Sequence, residues 1–184
     1  MQSLKGHLLI ATPALSSPIF SRSVILLLEH GEEGATGVIL NKPTNATMTD
    51  LSGRIFDEGF EWDKPLHLGG PVVGPLMVLH TLEEMADREV IPGVFQTLEA
   101  TKVQHVIGHK TQPSLVVANY AGWSPGQLES EIESDSWLIM PARAEHIFWA
   151  LGDDLWKATA NEITITNLSV LLGLRHLPPD PSVN

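Results

Sequence analysis

The stretch from Ser114 to Met140 constrains the fold more tightly than any other part of the chain. Its apolar run Leu115–Ala118 predicts a buried strand, and Gly122 predicts a tight turn after that strand. A short helix is expected over 125–134, followed by a second apolar strand at Trp137–Met140. The passage therefore predicts a strand–helix–strand unit around which the rest of the chain is organised.

The start of that helix is marked by several residues at once. Ser124 fits the N-cap position and Gln127 follows three residues later, which is the spacing of a capping box. Pro125 falls at the first helical position, where a missing N–H costs nothing. Trp123 and Leu128 have the spacing of a hydrophobic staple. These residues predict a fold and indicate little about an activity.

The remaining apolar runs predict strands and helices that do not alternate regularly. Strands are expected at 6–11, 22–29, 37–40, 66–68, 76–80 and 163–166, with a loop of moderate length at 30–34 and another loop at 83–88. Helices are expected from Thr47 or Thr49, carrying Leu51, Ile55 and Phe56 inward, over 99–109, over 143–151, and from Asp153. Because the strands come first in pairs, the sequence predicts an α+β fold with a mixed, mainly antiparallel sheet.

The length and composition suit one compact domain in the cytosol. A single domain is expected over 1–177, with a frayed, proline-containing tail at 178–184. The absence of cysteine excludes disulfides, thiolate metal sites and a cysteine nucleophile, and it suits a reducing compartment. The longest purely aliphatic run is Val24–Leu28, so neither a membrane span nor a signal peptide is expected. We predict a cytoplasmic protein without membrane association.

The net charge disfavours nucleic acid as a partner. The chain carries 22 acidic and 11 basic residues, for a formal charge of −11. Binding to DNA depends largely on the neutralisation of phosphates, which needs a basic face, and the Lys and Arg residues here form no cluster. A mobility-shift titration that stays flat at low salt would exclude direct DNA binding.

The segment 122–126 matches the G-x-S-x-G pattern of a serine nucleophile, and it follows a predicted strand. The oxyanion hole of such a site uses the backbone N–H of the residue after the serine, and Pro125 has none. Proline also favours an extended conformation at Ser124, which suits an N-cap. Capping explains Ser124, Pro125 and Gln127 together, so a hydrolase using Ser124 is the alternative hypothesis, testable by fluorophosphonate labelling.

Neither a metal site nor a cofactor site is predicted. His105 and His109 have the spacing of a metal-binding pair on a helix, but no third ligand is evident and they face away from the apolar stripe. Three further histidines at strand ends could converge in space, although buried, hydrogen-bonded rings are the commoner outcome: His30, His67 and His80. Three glutamates on the helix after Ser124 are expected to form a solvated face: Glu129, Glu131 and Glu133.

Several motifs, in a fixed order, resemble the bacterial YqgE/AlgH family. They are Gly6–Pro13, Phe20–Ile25, Glu29–His30, Gly37–Pro43, Gly69–Val72, Val78–His80, Tyr120–Trp123, Gly126–Glu129 and Trp137–Leu138. Together they spread over about residues 5–160 of the chain. The pattern departs at Asn119, where the resemblance leads us to expect glycine.

The resemblance implies a strongly bent, barrel-like α+β sheet with flanking helices, in cytosolic bacterial proteins. It implies no catalytic residues and no cofactor, and some members are proposed to be transcriptional regulators. We therefore expect a non-enzymatic protein that binds an unknown protein or small molecule, with any effect on transcription being indirect. The expected binding surface surrounds Trp123, Gln127 and Glu129, with Asn41 and His80 as outlying candidates.

Overall fold

The computed structural model describes residues 2–47, 49, 64–108, 113–148 and 152–171. Its strands are β1 (His7–Ala11), β2 (Val24–Gly31), β3 (Gly34–Ile39), β4 (Pro43–Thr47), β5 (Pro65–Leu68), β6 (Val72–His80), β7 (Arg88–Ile91), β8 (Val94–Thr97), β9 (Ser114–Trp123) and β10 (Trp137–Pro141). The α-helices in the described ranges are α1 (Ala100–Gly108), α2 (Gln127–Glu133), α3 (Ala144–Phe148) and α4 (Gly152–Leu171), and a 3-10 turn covers Glu83–Met85.

The strands form one curled sheet, in the order β10-β1-β2-β3-β9-β6-β8-β7, with β4 and β5 joined to it through β9. Every described strand pair is antiparallel except β5–β9, which is parallel. The predicted α+β fold, with a mixed and mainly antiparallel sheet that is strongly bent, is therefore confirmed.

Strand β9 lies at the centre of the sheet and changes partner along its length. Its first half pairs with β5 at Val117 and Ala118, whereas its second half pairs with β3 from Ala121 to Trp123. Between the two halves, Asn119 has a left-handed backbone with φ of 65°, a conformation that asparagine tolerates better than most residues. The predicted tight turn at Gly122 is wrong, because the strand continues to Trp123.

Helix α2 begins two residues later than the sequence predicts. Gly126 has a φ of 75° and the Gln127 N–H donates to the Ser124 carbonyl at 3.0 Å, so 124–127 form a turn with glycine at its third position. The Ser124 hydroxyl makes no capping bond, but the Gln127 side chain accepts the Ser124 N–H at 3.1 Å. Half of the predicted capping box is present. Proline and glycine together favour the turn over a helix starting at Pro125.

The predicted strand at 163–166 is wrong, because these residues lie within α4. Leu155, Thr159 and Ile163, four residues apart, are all buried, which is the period of a helix face. The hydroxyls of Thr164 and Thr166 each donate to the carbonyl four residues earlier, at 2.9 Å. Threonine thus satisfies its hydroxyl inside a helix, and the Ile-Thr alternation was a misleading guide to strand structure.

The structure also tests the predicted loop between β2 and β3 and the predicted apolar face of α1. The β2–β3 hairpin has a turn of two residues, Glu32 and Glu33, rather than a loop of moderate length, because Gly31 pairs with Gly34. The apolar face of α1 is confirmed: Val103, Val106 and Ile107 are buried. The predicted helix carrying Leu51, Ile55 and Phe56, the His109 position, the end of the 143–151 helix and the 178–184 tail lie outside the described residues. No helix of the described ranges is long and apolar enough to cross a membrane.

Candidate functional site

Two aromatic rings, those of Phe20 and Trp137, fix the orientation of Trp123 at the end of β9. The Phe20 ring stacks on the Trp123 ring with centroids 6.4 Å apart, and the Trp137 ring meets both edge-on, at 5.8 Å from Phe20 and 6.3 Å from Trp123. Both indoles are buried within a core cluster that also contains Leu128 of α2. The aromatic cluster therefore joins β9, β10 and α2 into one rigid unit.

Glu131 is the polar centre of this unit. Its Oε2 accepts the indole N–H of Trp123 at 2.9 Å and that of Trp137 at 2.8 Å, while its Oε1 accepts the Gln127 side-chain amide at 3.0 Å. Hydrogen bonds to an ionised carboxylate are stronger than neutral ones. The prediction of a solvated glutamate face is therefore wrong for Glu131. Of the three glutamates, only Glu133 is exposed and has no bond to any described residue.

Glu129 pairs with a buried histidine from the other side of the helix. The His30 Nε2 lies 2.9 Å from Glu129 Oε1, and His30 Nδ1 accepts the backbone N–H of Leu4 at 3.1 Å. Because a backbone N–H can only donate, Nδ1 carries no proton and Nε2 donates to the carboxylate. The His30 side chain is 2% exposed and that of Glu129 27% exposed. This pair ties α2 to the β2–β3 hairpin and holds the imidazole in one tautomer.

A cleft of about 490 Å³, which we call the Trp123 cleft, lies beside this unit over the paired strands β3 and β9. Its lining consists of Glu29, Glu33, Gly34, Ala35, Thr36, Val72, Tyr120, Gly122, Trp123, Ser124 and Pro125. Gly34 lines the cleft with a φ of 114°, and a Cβ atom there would lie 2.2 Å from the Trp123 carbonyl oxygen. Only glycine allows the hairpin to approach β9 this closely.

The Tyr120 ring forms a wall of the cleft. A Cβ atom on Gly74 would lie 2.7 Å from this ring, and one on Gly122 would lie 3.5 Å from it. Gly74 thus gives the ring room beside the backbone of β6, whereas a side chain at Gly122 would make only an ordinary contact with the ring. Val72, at the start of β6, is 36% exposed beside it. This side of the cleft therefore presents an aromatic and aliphatic surface.

The opposite side of the Trp123 cleft is acidic. Glu29 forms an ion pair with Arg88 and keeps 60% of its side chain exposed. Glu33 is exposed in the hairpin turn and has no hydrogen bond or ion pair with any described residue. At least one carboxylate is thus open to a partner, in a chain whose formal charge is −11. The cleft attracts cations and repels phosphates.

The two outlying candidates lie in the interior, not at the cleft. Asn41 is 3% exposed, and its side chain accepts the Val24 N–H at 2.8 Å and donates to the carbonyls of Arg22, at 2.8 Å, and Gly152, at 3.1 Å. Asn41 thus joins β2 to the start of α4, and both its amide NH₂ and its amide oxygen are engaged in these bonds. His80 is fully buried in β6, and its Nδ1 accepts the Leu82 N–H at 3.2 Å.

Ser124 lies at the rim of the Trp123 cleft, and no histidine of the described ranges hydrogen-bonds to its hydroxyl. The three histidines at strand ends do not share a centre, because each binds different backbone or carboxylate groups: His30 binds Leu4 and Glu129, His67 binds Leu40, and His80 binds Leu82. Within the described chain, no three histidine or acidic side chains gather in a way that could hold a metal ion.

The sequence predicted a binding surface around Trp123, Gln127 and Glu129. It did not predict the role of Glu131 or the presence of the cleft. A clue to Glu131 was available, because residues four apart on a helix meet and Gln127 is four residues before Glu131. Tyr120 and Glu33 offered no such clue, since β-sheet pairing over almost ninety residues of sequence brings them together.

The curled sheet and its flanking helices define a single-sheet α+β protein with an open cleft over its central strands. The chain belongs to the YqgE/AlgH family: the AlgH-like family model matches residues 8–167. A UPF0301 protein from Chlorobaculum tepidum is 41% identical over 159 residues, which is 83% of this chain and 82% of that protein. The UPF0301 protein YqgE from Escherichia coli is 35% identical over 179 residues, 91% of this chain and 96% of YqgE.

Solved structures have the same fold. The solution structure of the AlgH protein from Pseudomonas aeruginosa superposes with a TM-score of 0.76 at 27% identity, covering 96% of both chains. The crystal structure of a Corynebacterium diphtheriae protein, DIP2367, gives a TM-score of 0.68 at 24% identity over 88% of each chain. The names of these relatives state no biochemical activity, so a function has to be argued from the site.

Proposed function

We propose that this protein is a non-enzymatic, cytosolic binding protein whose partner is a segment of another protein, held in the Trp123 cleft. The observation that supports this most strongly is the construction of the cleft. The Tyr120 ring forms its aromatic wall, and the neighbouring end of β9 is held in place by the carboxylate of Glu131, which accepts the N–H groups of both buried indoles, and by the ring stacking of Phe20 on Trp123. A preorganised surface loses little entropy when a partner binds.

The chemistry of the cleft indicates what the partner segment carries. The exposed carboxylate of Glu33 suits a Lys or Arg side chain, whereas the Tyr120 ring and Val72 suit an apolar or cationic group lying flat against them. The volume of about 490 Å³ accommodates a few side chains rather than a folded domain. The partner is thus a short basic and apolar peptide segment, and any regulatory effect acts through that partner.

Two features weigh against the other hypotheses. The hydrolase hypothesis needs a backbone N–H after Ser124, and Pro125 has none. Direct DNA binding needs a basic surface, and the open groups at the cleft are carboxylates.

Selection from a random peptide library against the immobilised protein tests the proposal. We expect the enriched peptides to combine Lys or Arg with aromatic or branched apolar residues, and to shift the amide signals of Gly122 and Thr36 in NMR spectra. Enrichment of acidic peptides, or shifts confined to surfaces away from β3 and β9, would contradict it. A selection that enriches no peptide family would also contradict it.

A further inference from the structure

The backbone of Gly122 lies at an open edge of the sheet beside the Trp123 cleft. Gly122 pairs with Thr36 of β3 on one side, whereas on the other side the pairing of β9 with β6 ends at Tyr120 and Val72. Gly122 is exposed and lines the cleft. The central strand therefore has a short edge that no described strand covers, and this edge lies at the cleft.

The hydrogen bonds of β3 show which way the backbone groups of Gly122 point. The Leu40 N–H donates to a carbonyl of β2 at 2.9 Å, whereas the Ile39 N–H donates to the carbonyl of Gly69 on the opposite side of β3, at 2.8 Å. Because these directions alternate along a strand, odd-numbered residues of β3 bond toward β9 and Thr36 bonds toward β2. The N–H and carbonyl of Gly122, opposite Thr36, therefore point away from β3 and toward the open edge.

The neighbouring groups along this edge of β9 are engaged, which leaves Gly122 as the point of attachment. The Ser124 N–H donates to the Gln127 side chain at 3.1 Å, and the Ser124 carbonyl accepts the Gln127 N–H at 3.0 Å. Tyr120 pairs with Val72. An unpaired strand edge is a template for a further strand, and a glycine in a strand allows another backbone to approach closely.

Side chains from three strands form a row across the floor of the cleft. Glu29 of β2 pairs with Thr36, which pairs with Gly122, and residues directly opposite one another carry their side chains on the same face. A residue added opposite Gly122 becomes the next member of this row. Because Gly122 has no side chain, a long cationic side chain from that residue can lie across β9 toward the carboxylates of Glu33 and Glu29, which line the cleft.

On the basis of the proposed function, on which this step depends, we propose that the partner segment binds Gly122 through a β-bridge, a single residue pair joined by both backbone hydrogen bonds. The segment runs antiparallel to β9, and one of its residues donates its N–H to the Gly122 carbonyl and accepts the Gly122 N–H. That residue is lysine or arginine, and its side chain crosses Gly122 to the carboxylates. An apolar residue two positions away, on the same face, contacts Tyr120 and Val72.

The capped peptide acetyl-VTKTV-amide is the probe, titrated into the full, isotope-labelled chain and followed by NMR. We expect the Gly122 amide to exchange with solvent about tenfold or more slowly when the peptide is bound. Backbone N-methylation of the central lysine should weaken binding about tenfold or more, because it removes the donor to Gly122 and places a methyl group against β9. The matched control is N-methylation of the preceding threonine, whose N–H points away from β9, and it should weaken binding less than about threefold.

Equal affinities of the two N-methylated peptides, or an unchanged exchange rate of the Gly122 amide in the complex, would overturn the β-bridge. If Glu33→Lys still weakened the unmodified peptide, the segment would be held by its side chains and the proposed function would stand. A peptide that shifts no signal of the cleft at millimolar concentration would also overturn the β-bridge. The selection from a random library would then decide the proposed function independently.

Discussion

The indole N–H of Trp123 donates to Glu131 Oε2 at 2.9 Å, across the junction between the central strand and helix α2. The same oxygen atom accepts the indole N–H of Trp137 at 2.8 Å. One carboxylate therefore fixes the buried Trp123 side chain, and with it the end of β9 that lines the Trp123 cleft. The integrity of the site depends on a residue that a binding partner does not touch.

Replacement of Glu131 by alanine should destabilise the protein by about 2–4 kcal/mol, because two buried indole N–H groups and the Gln127 amide lose their acceptor. Glu131→Gln should cost less, since one amide oxygen still accepts. Urea denaturation followed by tryptophan fluorescence measures both. Glu133→Ala, on the same helix and exposed, is the control and should change stability by less than about 0.5 kcal/mol. Equal costs for Glu131→Ala and Glu133→Ala would contradict the role of Glu131.

Substitutions at Asn119 test whether β9 needs a left-handed residue where it changes its pairing partner. Its φ of 65° is accessible to glycine and strained for a β-branched residue. Both Asn119→Gly and Asn119→Val lose the bond from the Gly74 N–H to Asn119 Oδ1, at 3.3 Å, so their difference reports on the backbone alone. We expect Asn119→Val to be less stable than Asn119→Gly by about 1–2 kcal/mol in chemical denaturation. Similar stabilities would mean that the strand does not need a left-handed residue here.

The pH dependence of stability should reflect the buried histidines. Burial lowers the pKa of His67 and of His80 below the ordinary 6.5. The unfolded chain therefore takes up these protons first as the pH falls, so stability is lost as the pH falls through 6.5. His67→Asn, whose amide can still donate to the Leu40 carbonyl, should reduce the difference in unfolding free energy between pH 7.5 and pH 5.5. An unchanged difference would assign the pH dependence to other groups.

The hydrolase hypothesis and the binding proposal predict opposite results for the labelling of Ser124. We expect a fluorophosphonate probe to leave Ser124 unlabelled, as judged by peptide mass spectrometry of the native protein. The serine has no described histidine bonded to its hydroxyl, and Pro125 offers no N–H to an oxyanion. An adduct on Ser124 that forms in the folded protein and is absent after denaturation would overturn the non-enzymatic proposal.

The fold was largely predictable because its signals are local. Runs such as Val24–Leu28 identified buried strands, and the turn residues around Gly69 and Pro71 separated the elements. The errors arose where two local preferences compete, as at Pro125 and Gly126, where a turn displaced the helix start. Thr164 and Thr166 favour strands by their residue type, but in α4 their hydroxyls donate to backbone carbonyls one helical turn earlier, so the helix accommodates them.

The site was less predictable for a physical reason. Trp123, Gln127 and Glu129 lie close in sequence, so helix geometry alone placed them together. Glu33 and Tyr120 meet only through the antiparallel register of β3 and β9, in which Ala35 pairs with Trp123. That register depends on the whole sheet and cannot be inferred from either segment. Asn41 and His80 are polar residues near strand ends, and in the structure both are buried and bond to the backbone.

The affinity of a selected basic peptide for a charge-reversed cleft tests the central proposal most directly. Glu33→Lys changes the exposed carboxylate of the cleft, and Glu84→Lys makes the same change of charge in the 3-10 turn that follows β6. By isothermal titration calorimetry, we expect Glu33→Lys to weaken binding about tenfold or more and Glu84→Lys to weaken it only slightly. If the two variants bind the peptide equally well, the Trp123 cleft is not the binding site.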